Sequence, residues 1–227
     1  MADVTLTYKG STIAEMNDTG TKTLKTAGKY CEGDIGISYV KPEGGGSDEL
    51  ALKMITGEGT ITELPSGITK IDDYAFYKCE NLASTSLPEG ITSIGDSAFY
   101  VCANLALTSL PSGITSIKAN AFFLCEKLAL TSLPEGITSI GDYTFDRCTN
   151  LALTSLPSGI TIIGIYAFGY CSGLTTLTFK GTPTGIASSA FTGCTNLTDI
   201  YVPWAEGAVA NAPWGATNAT IHYNTTT

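Results

Sequence analysis

Six cysteines, Cys79, Cys102, Cys125, Cys148, Cys171 and Cys194, stand 23 residues apart in the chain. Evenly spaced thiols can build a disulfide framework or a metal site, so geometry has to decide between them. Side chains that repeat in one column of a stacked chain point in parallel. Neighbouring Cβ atoms then sit near the strand spacing of about 4.8 Å, wider than the separation of about 3.8 Å that a disulfide needs. Zinc requires ligands converging from several directions, and the single histidine, His222, lies in the C-terminal tail. The expectation is six buried, reduced thiols acting as small hydrophobes, with no metal and no cofactor. Cys31 lies outside the column and takes no assignment.

Nucleophilic catalysis fails on inventory, because a serine or thiol nucleophile needs a nearby base and one terminal histidine cannot serve a site on the repeats. Carboxylates are the remaining chemistry. Asp73, Asp96 and Asp142 share a column beside Asp72, with Ala119 and Ile165 interrupting it. Asp at the start of a short turn reads as an N-cap rather than as an acid/base pair or a calcium ladder. No catalytic residue is assigned, and the chain reads as non-enzymatic.

These columns need elements to hold them in register. Phe76, Phe99, Phe122, Phe145, Phe168 and Phe191 keep the 23-residue step, as do Leu82, Leu105, Leu128, Leu151, Leu174 and Leu197. A unit this short cannot bury its own apolar face, but stacked units merge the columns into one core. Within a unit, "NLALTSLP" has the alternation of a short strand, and Pro111 with Gly113 supplies the turn that ends it. "ITSI" reads as a second brief extended piece, and "GDSAFYVC" as one helical or 3₁₀ turn carrying Ala98, Phe99 and Cys102 inward. The fold class is a β-rich repeat solenoid of parallel short strands joined by short helical or 3₁₀ turns, about six units over residues 49–203.

The flanks divide further. Residues 1–43 lack the ruler and read as a small β module with strands in "VTLTYKG", "TIAEM", "TKTLKTAGKY" and "IGISYVK". The glycine-rich stretch 44–48 reads as a linker. Residues 204–227 keep Trp204, Val209, Trp214, Ile221 and Tyr223 and read as a C-terminal cap for the last uncovered unit. With 43% apolar residues and a net charge of −9, the chain is a folded, acidic protein. A phosphate-binding surface needs excess Lys and Arg, so nucleic acid is not an expected partner. "MADVTLTYKG" has no secretory signal and no apolar run reaches membrane-spanning length. The expectation is a soluble, monomeric product without membrane insertion, whose final location is the cell surface, the extracellular space or a virion.

"LPEGITSIGDYTFDRCTNL" (133–151) resembles the 23-residue leucine-rich repeat of the BspA-like, Treponema pallidum type, and the likeness covers about residues 60–203. The resemblance implies a solenoid, a place on bacterial or protozoan surface proteins, and a protein-binding or adhesion role without catalysis. "GTKTLKTAGKYCEGDIGISY" (20–39) resembles a short β segment of phage and prophage tail-associated proteins, which implies display on an attachment module.

One departure from the family pattern matters for binding. Thr85, Thr108, Thr131 and Thr154 stand where the pattern has an apolar strand residue, and Leu107, Leu130 and Leu153 stand one position earlier. If the family register holds, these leucines form a stripe facing water. A locally bulged strand instead tucks them inside, which is worth roughly 1.5–3 kcal/mol per side chain. Directly after the core phenylalanines stand Tyr77, Tyr100 and Phe123, followed by Asp146, Gly169 and Thr192, so aromatics occupy this column in the first three units only. Tyr77, Tyr100 and Phe123, joined by Leu107, Leu130 and Leu153 if these face outward, are the candidate binding surface for a protein or cell-surface ligand. A surface adhesin of a gut bacterium and a purely structural spacer are the competing readings.

Overall fold

The computed structural model describes residues 70–225, except 72, 80 and 81, in full, together with the backbone pairing of five strands that precede them. Cys31 and the 44–48 segment lie outside the described residues. From residue 70 onward the described residues form a stack of coils, each about one repeat long. Val4–Tyr8, Ser11–Met16 and Lys22–Leu24 pair as an antiparallel three-stranded sheet. Gly36–Val40 pairs antiparallel with Glu49–Lys53, which begins a parallel ladder running through 70–71, 93–94, 116–117, 139–140, 162–163 and 185–186. The "ITSI" pieces thus make the longer sheet. A second parallel sheet joins 155–156, 176–179, 199–201 and 220–222.

The leucine register explains why the second sheet forms only at the C-terminal end. In "LALTSL" the inward residues are Leu105, Leu107 and Leu110, so Thr108 and Ser109 are consecutive outward residues and the strand bends there. In "LTTLTF" the inward set is Leu174, Leu177 and Phe179. The outward pair then falls earlier, and Thr176–Phe179 alternates cleanly as a strand. The bulged alternative is the one adopted. Leu107, Leu130 and Leu153 are at most 1% exposed, and Thr85, Thr108, Thr131 and Thr154 face solvent. The leucine stripe is therefore core and drops out of the candidate surface.

The "GDSAFYVC" segments are not helical, and no helix occurs among the described residues. Ser97 and Val101 adopt left-handed φ of 52° and 58°, as do their counterparts in neighbouring coils. Alternate amides then point different ways. Ser97, Phe99 and Val101 donate to carbonyls of the next coil at 3.0, 2.8 and 2.7 Å, whereas Tyr100 and Cys102 close turns on Ser97 and Phe99. A helix would direct all of these amides to its own preceding turn, so it could not staple coil to coil. The aspartates follow the same logic. Asp73 Oδ1 accepts the Asp96 amide at 2.8 Å and Asp142 Oδ1 accepts the Ile165 amide at 2.7 Å. Each bonds the next coil's turn instead of capping its own.

The core is columnar. Phe76 through Phe191 are fully buried and stack nearly parallel, with centroids 5.1 to 5.6 Å apart. The six repeat cysteines are free and buried. From Cys102 onward each thiol donates to the carbonyl of a phenylalanine one coil back, at 2.9–3.1 Å. Burial pushes the Cys194 thiol up to about 12 and those of Cys148 and Cys171 well above the ordinary range. Because the thiolate is the reactive form, these cysteines are expected to resist a disulfide-exchange reagent until the chain unfolds. Stoichiometric labelling of the folded protein at several of them would contradict the column.

The repeat does not stop at Phe191. Val209 and Trp214 stand 23 residues after Ile186 and Phe191 and are buried, and the Trp214 carbonyl accepts the Phe191 amide at 2.9 Å. Thr220–His222 pairs with Asp199–Tyr201 two residues short of the usual step. Residues 203–225 therefore form a seventh, shortened coil whose indoles close the phenylalanine column.

Candidate functional site

The turn side of the stack carries the exposed rings. Tyr77, Tyr100 and Phe123 stack on one another at 4.9 and 4.7 Å and are half-buried. Stacked rings cover each other's faces and leave only their edges to solvent. After Phe123 the aromatics do not end but change column. Tyr143 and Tyr166 stack at 5.6 Å, Tyr166 and Tyr170 lie 6.4 Å apart, and the Arg147 guanidinium sits 4.7 Å over Tyr170. Tyr143, Tyr166 and Tyr170 all occupy the left-handed positions of their turns, which carry their side chains away from the inward column.

Two isoleucines adjoin this second run. Ile162 and Ile165 are 55% and 46% exposed, and with Tyr143 and Tyr170 they make four of the five large exposed hydrophobics among the described residues, the fifth being Tyr74. Their columns hold Ser93, Ser116 and Ser139 before Ile162, and Asp73, Asp96, Ala119 and Asp142 before Ile165. The signal was present in the sequence as the break that Ile165 makes in the aspartate column. Following the single column after each core phenylalanine hid the patch, since its members come from four columns.

Asp146 lies where the two aromatic runs meet. It occupies the column of Tyr77, Tyr100 and Phe123 yet is only 4% exposed, and its Oδ1 has no hydrogen-bond partner. A side chain at Gly169 would begin 2.5 Å from that oxygen and 2.9 Å from Tyr166 Cδ1, so glycine at 169 is what lets the carboxylate fit. Burial raises the Asp146 carboxyl above the usual carboxylate range, and the Arg147 charge draws it only partly back. A carboxyl with a raised folded-state pKa binds its proton more tightly when folded. Its ionisation costs stability as pH rises above the unfolded value of about 3.9, and the cost is carried in full above the folded pKa. Asp146→Asn is therefore expected to raise the melting temperature relative to the parent more at about pH 7 than at about pH 3. An equal difference at both values would mean that the carboxyl is not desolvated.

The single histidine sits on the seventh coil. His222 Nε2 pairs with Asp199 Oδ1 at 2.8 Å, and its ring stacks on Tyr201 at 4.4 Å. Hydrogen bonds from His222 and Thr198 hold the Asp199 carboxyl below its ordinary value. The Thr198 hydroxyl donates to Asp199 Oδ2 at 2.8 Å. The carboxylate thus takes up both groups, and the cluster ties the last strand to its neighbour. Among the described residues no three His, Cys, Asp or Glu side chains could hold a metal ion, and no helix is long and apolar enough to cross a membrane.

The chain matches the sequence profile of the BspA type leucine rich repeat region in six copies, over residues 58–156 and 117–207. It is similar to the solved leucine rich repeat protein of Treponema pallidum, at 27% identity over 73% of this chain and 81% of that one, with a TM-score of 0.57. A leucine-rich repeat protein from Bacteroides ovatus gives 26% identity over 73% of this chain and 45% of its own length, with a TM-score of 0.56. A leucine rich cell surface protein from Faecalibacterium prausnitzii shares the fold at 23% identity, over 87% of this chain and 55% of that one, with a TM-score of 0.55. The chain therefore spans about half the length of the last two. No curated protein matches at the sequence level. The matched profile begins at residue 58, so the likeness of residues 20–39 to phage tail segments gains no support from it.

Proposed function

Because the chain belongs to the BspA-type leucine-rich repeat family, we propose that it is a non-catalytic protein-binding module of the adhesion type, displayed at the cell surface, which grips its partner through the turn side of its fourth and fifth coils. The observation that carries this reading is the concentration of four of the five large exposed hydrophobics among the described residues, Tyr143, Ile162, Ile165 and Tyr170, on two adjacent coils. A spacer would gain nothing from exposing the isoleucines, since the position of Ile162 takes Ser93, Ser116 and Ser139 in the preceding coils and that of Ile165 takes Asp73, Asp96 and Asp142 in three others. Contiguous apolar surface rimmed by polar residues is the mark of an interaction site, and tyrosine is enriched in interface cores.

Two triple variants separate binding from framework. Tyr143→Ser, Ile165→Asp and Tyr170→Ser together are expected to abolish adherence to host-cell or matrix-coated surfaces while the melting temperature changes by only a few degrees, roughly as for surface substitutions. Tyr77→Ser, Tyr100→Ser and Phe123→Ser together dismantle a half-buried stack and are expected to lower the melting temperature by about 5 °C or more. Unchanged adherence of the first variant would reject the proposed surface. Loss of adherence by the second without loss of stability would move the contact to the first three coils.

A further inference from the structure

We propose that the groove beside Ile162 and Ile165 receives a large apolar side chain of the partner protein, with a neighbouring Lys or Arg of that partner paired to Asp142. The inference rests on the protein-binding reading above and gives the partner its chemistry. Ile163, between the two exposed isoleucines, already fills the core column at 1% exposure. Ile162 and Ile165 are thus surplus to the packing of their own coil. The next coil steps down beside them. Gly185 follows Ile162 in column, and a Cβ built on it meets nothing within 4 Å. The result is an open groove of about 460 Å³ whose walls are Ile162, Ile165, Ile186 and Ala187. That volume falls within the range of sites that hold organic groups, about 300–1,000 Å³.

The polar side chains of the groove are Thr184 and Asp142. The Thr184 hydroxyl is spent on the Thr161 carbonyl at 3.0 Å. Asp142 gives Oδ1 to the Ile165 amide at 2.7 Å, whereas an ionised carboxylate has about four acceptor sites. The rest of the aspartate column shows what such a carboxylate attracts. Lys118 Nζ lies 3.5 Å from Asp73 and 3.6 Å from Asp96, and among the described residues Asp142 has no such ion pair. No cation lines the groove, and the chain carries a net charge of −9. An apolar anchor next to a cation is therefore complementary to this site, and one next to an acid is repelled.

Tryptamine and indole-3-propionate test the pairing, since they carry the same ring with opposite charge. With isoleucine methyls labelled for NMR, tryptamine is expected to shift the Ile162 and Ile165 methyls saturably, and indole-3-propionate to bind at least about threefold more weakly. Asp142→Asn keeps an acceptor for the Ile165 amide and should remove that preference by weakening tryptamine about three- to fivefold. Ile162→Ser installs the residue that Ser139 supplies one coil earlier, so the fold is retained while saturable binding is lost. Equal binding of the two probes, or no saturable shift at these methyls, would overturn the proposal. If the patch variant of the preceding section still loses adherence in that case, protein binding stands and only the chemistry of the partner falls.

Discussion

Phe122→Ala is expected to lower the unfolding free energy by about 3–5 kcal/mol, the range for emptying a fully buried aromatic site. Phe122 sits mid-column with no exposed surface, 5.2 Å from Phe99 and 5.6 Å from Phe145. Its neighbours cannot close the gap, because each ring is tied to a coil whose backbone is stapled on both sides. The Phe122 amide donates to Thr144 of the next coil at 2.9 Å, and its carbonyl accepts the Cys148 thiol at 3.0 Å. The void therefore persists, and the interface terms on both faces of the coil weaken together, as nearest-neighbour coupling in a stack requires. Urea melts give the number. A loss below about 1 kcal/mol would place Phe122 outside a packed core.

The stack itself was legible because three residue types return at one fixed step, and only stacking makes such columns useful. The inward residues of each coil followed from the same columns. The conformation between them was not legible. "GDSAFYVC" offers a helical start signal in Asp96, and that local signal alone suggests a helical turn. What decides is the pairing of alternate amides with a coil 23 residues away, a non-local gain that overrides local preference and holds even Val101 at a left-handed φ. The aspartates were misread for the same reason, since their acceptors serve the neighbouring coil.

The leucine stripe shows the opposite balance. Pattern matching to the family register put Leu107, Leu130 and Leu153 outside, but the energetics of burial favoured the bulge, and the bulge is what forms. The binding surface was half legible. Tyr77, Tyr100 and Phe123 were visible as one column, whereas the more exposed group is assembled from Tyr143, Ile162, Ile165 and Tyr170 across four columns. Tyr143 and Tyr170 reach solvent from left-handed turn positions, and Ile162 from the outward side of its strand. That assignment needs the backbone.

The seventh coil escaped notice because its markers changed identity while keeping place, and it gives the last expected result. Trp214→Ala should cost about 3–5 kcal/mol, with the damage confined to the C-terminal end. Trp214 has no exposed surface, its indole Nε1 donates to the Ala210 carbonyl at 2.7 Å, and it packs with Phe179 and Trp204 at centroid distances of 6.1 and 6.3 Å. Removing it uncovers Phe179 and Phe191 and unseats the strand at 220–222, whereas coils farther away keep both their neighbours. Trp204→Ala is the control. Trp204 is 6% exposed and its indole N–H finds no partner, so truncation there also relieves an unsatisfied buried donor and should cost less. Amide hydrogen exchange reads both magnitude and place. In Trp214→Ala, protection should fall at Val202, Thr220 and Thr225, whose amides bond across the last two coils, and remain at Phe99 and Phe122. A uniform fall along the stack would show that the seventh coil unfolds only with the whole. An effect smaller than that of Trp204→Ala would remove Trp214 from the end of the phenylalanine column.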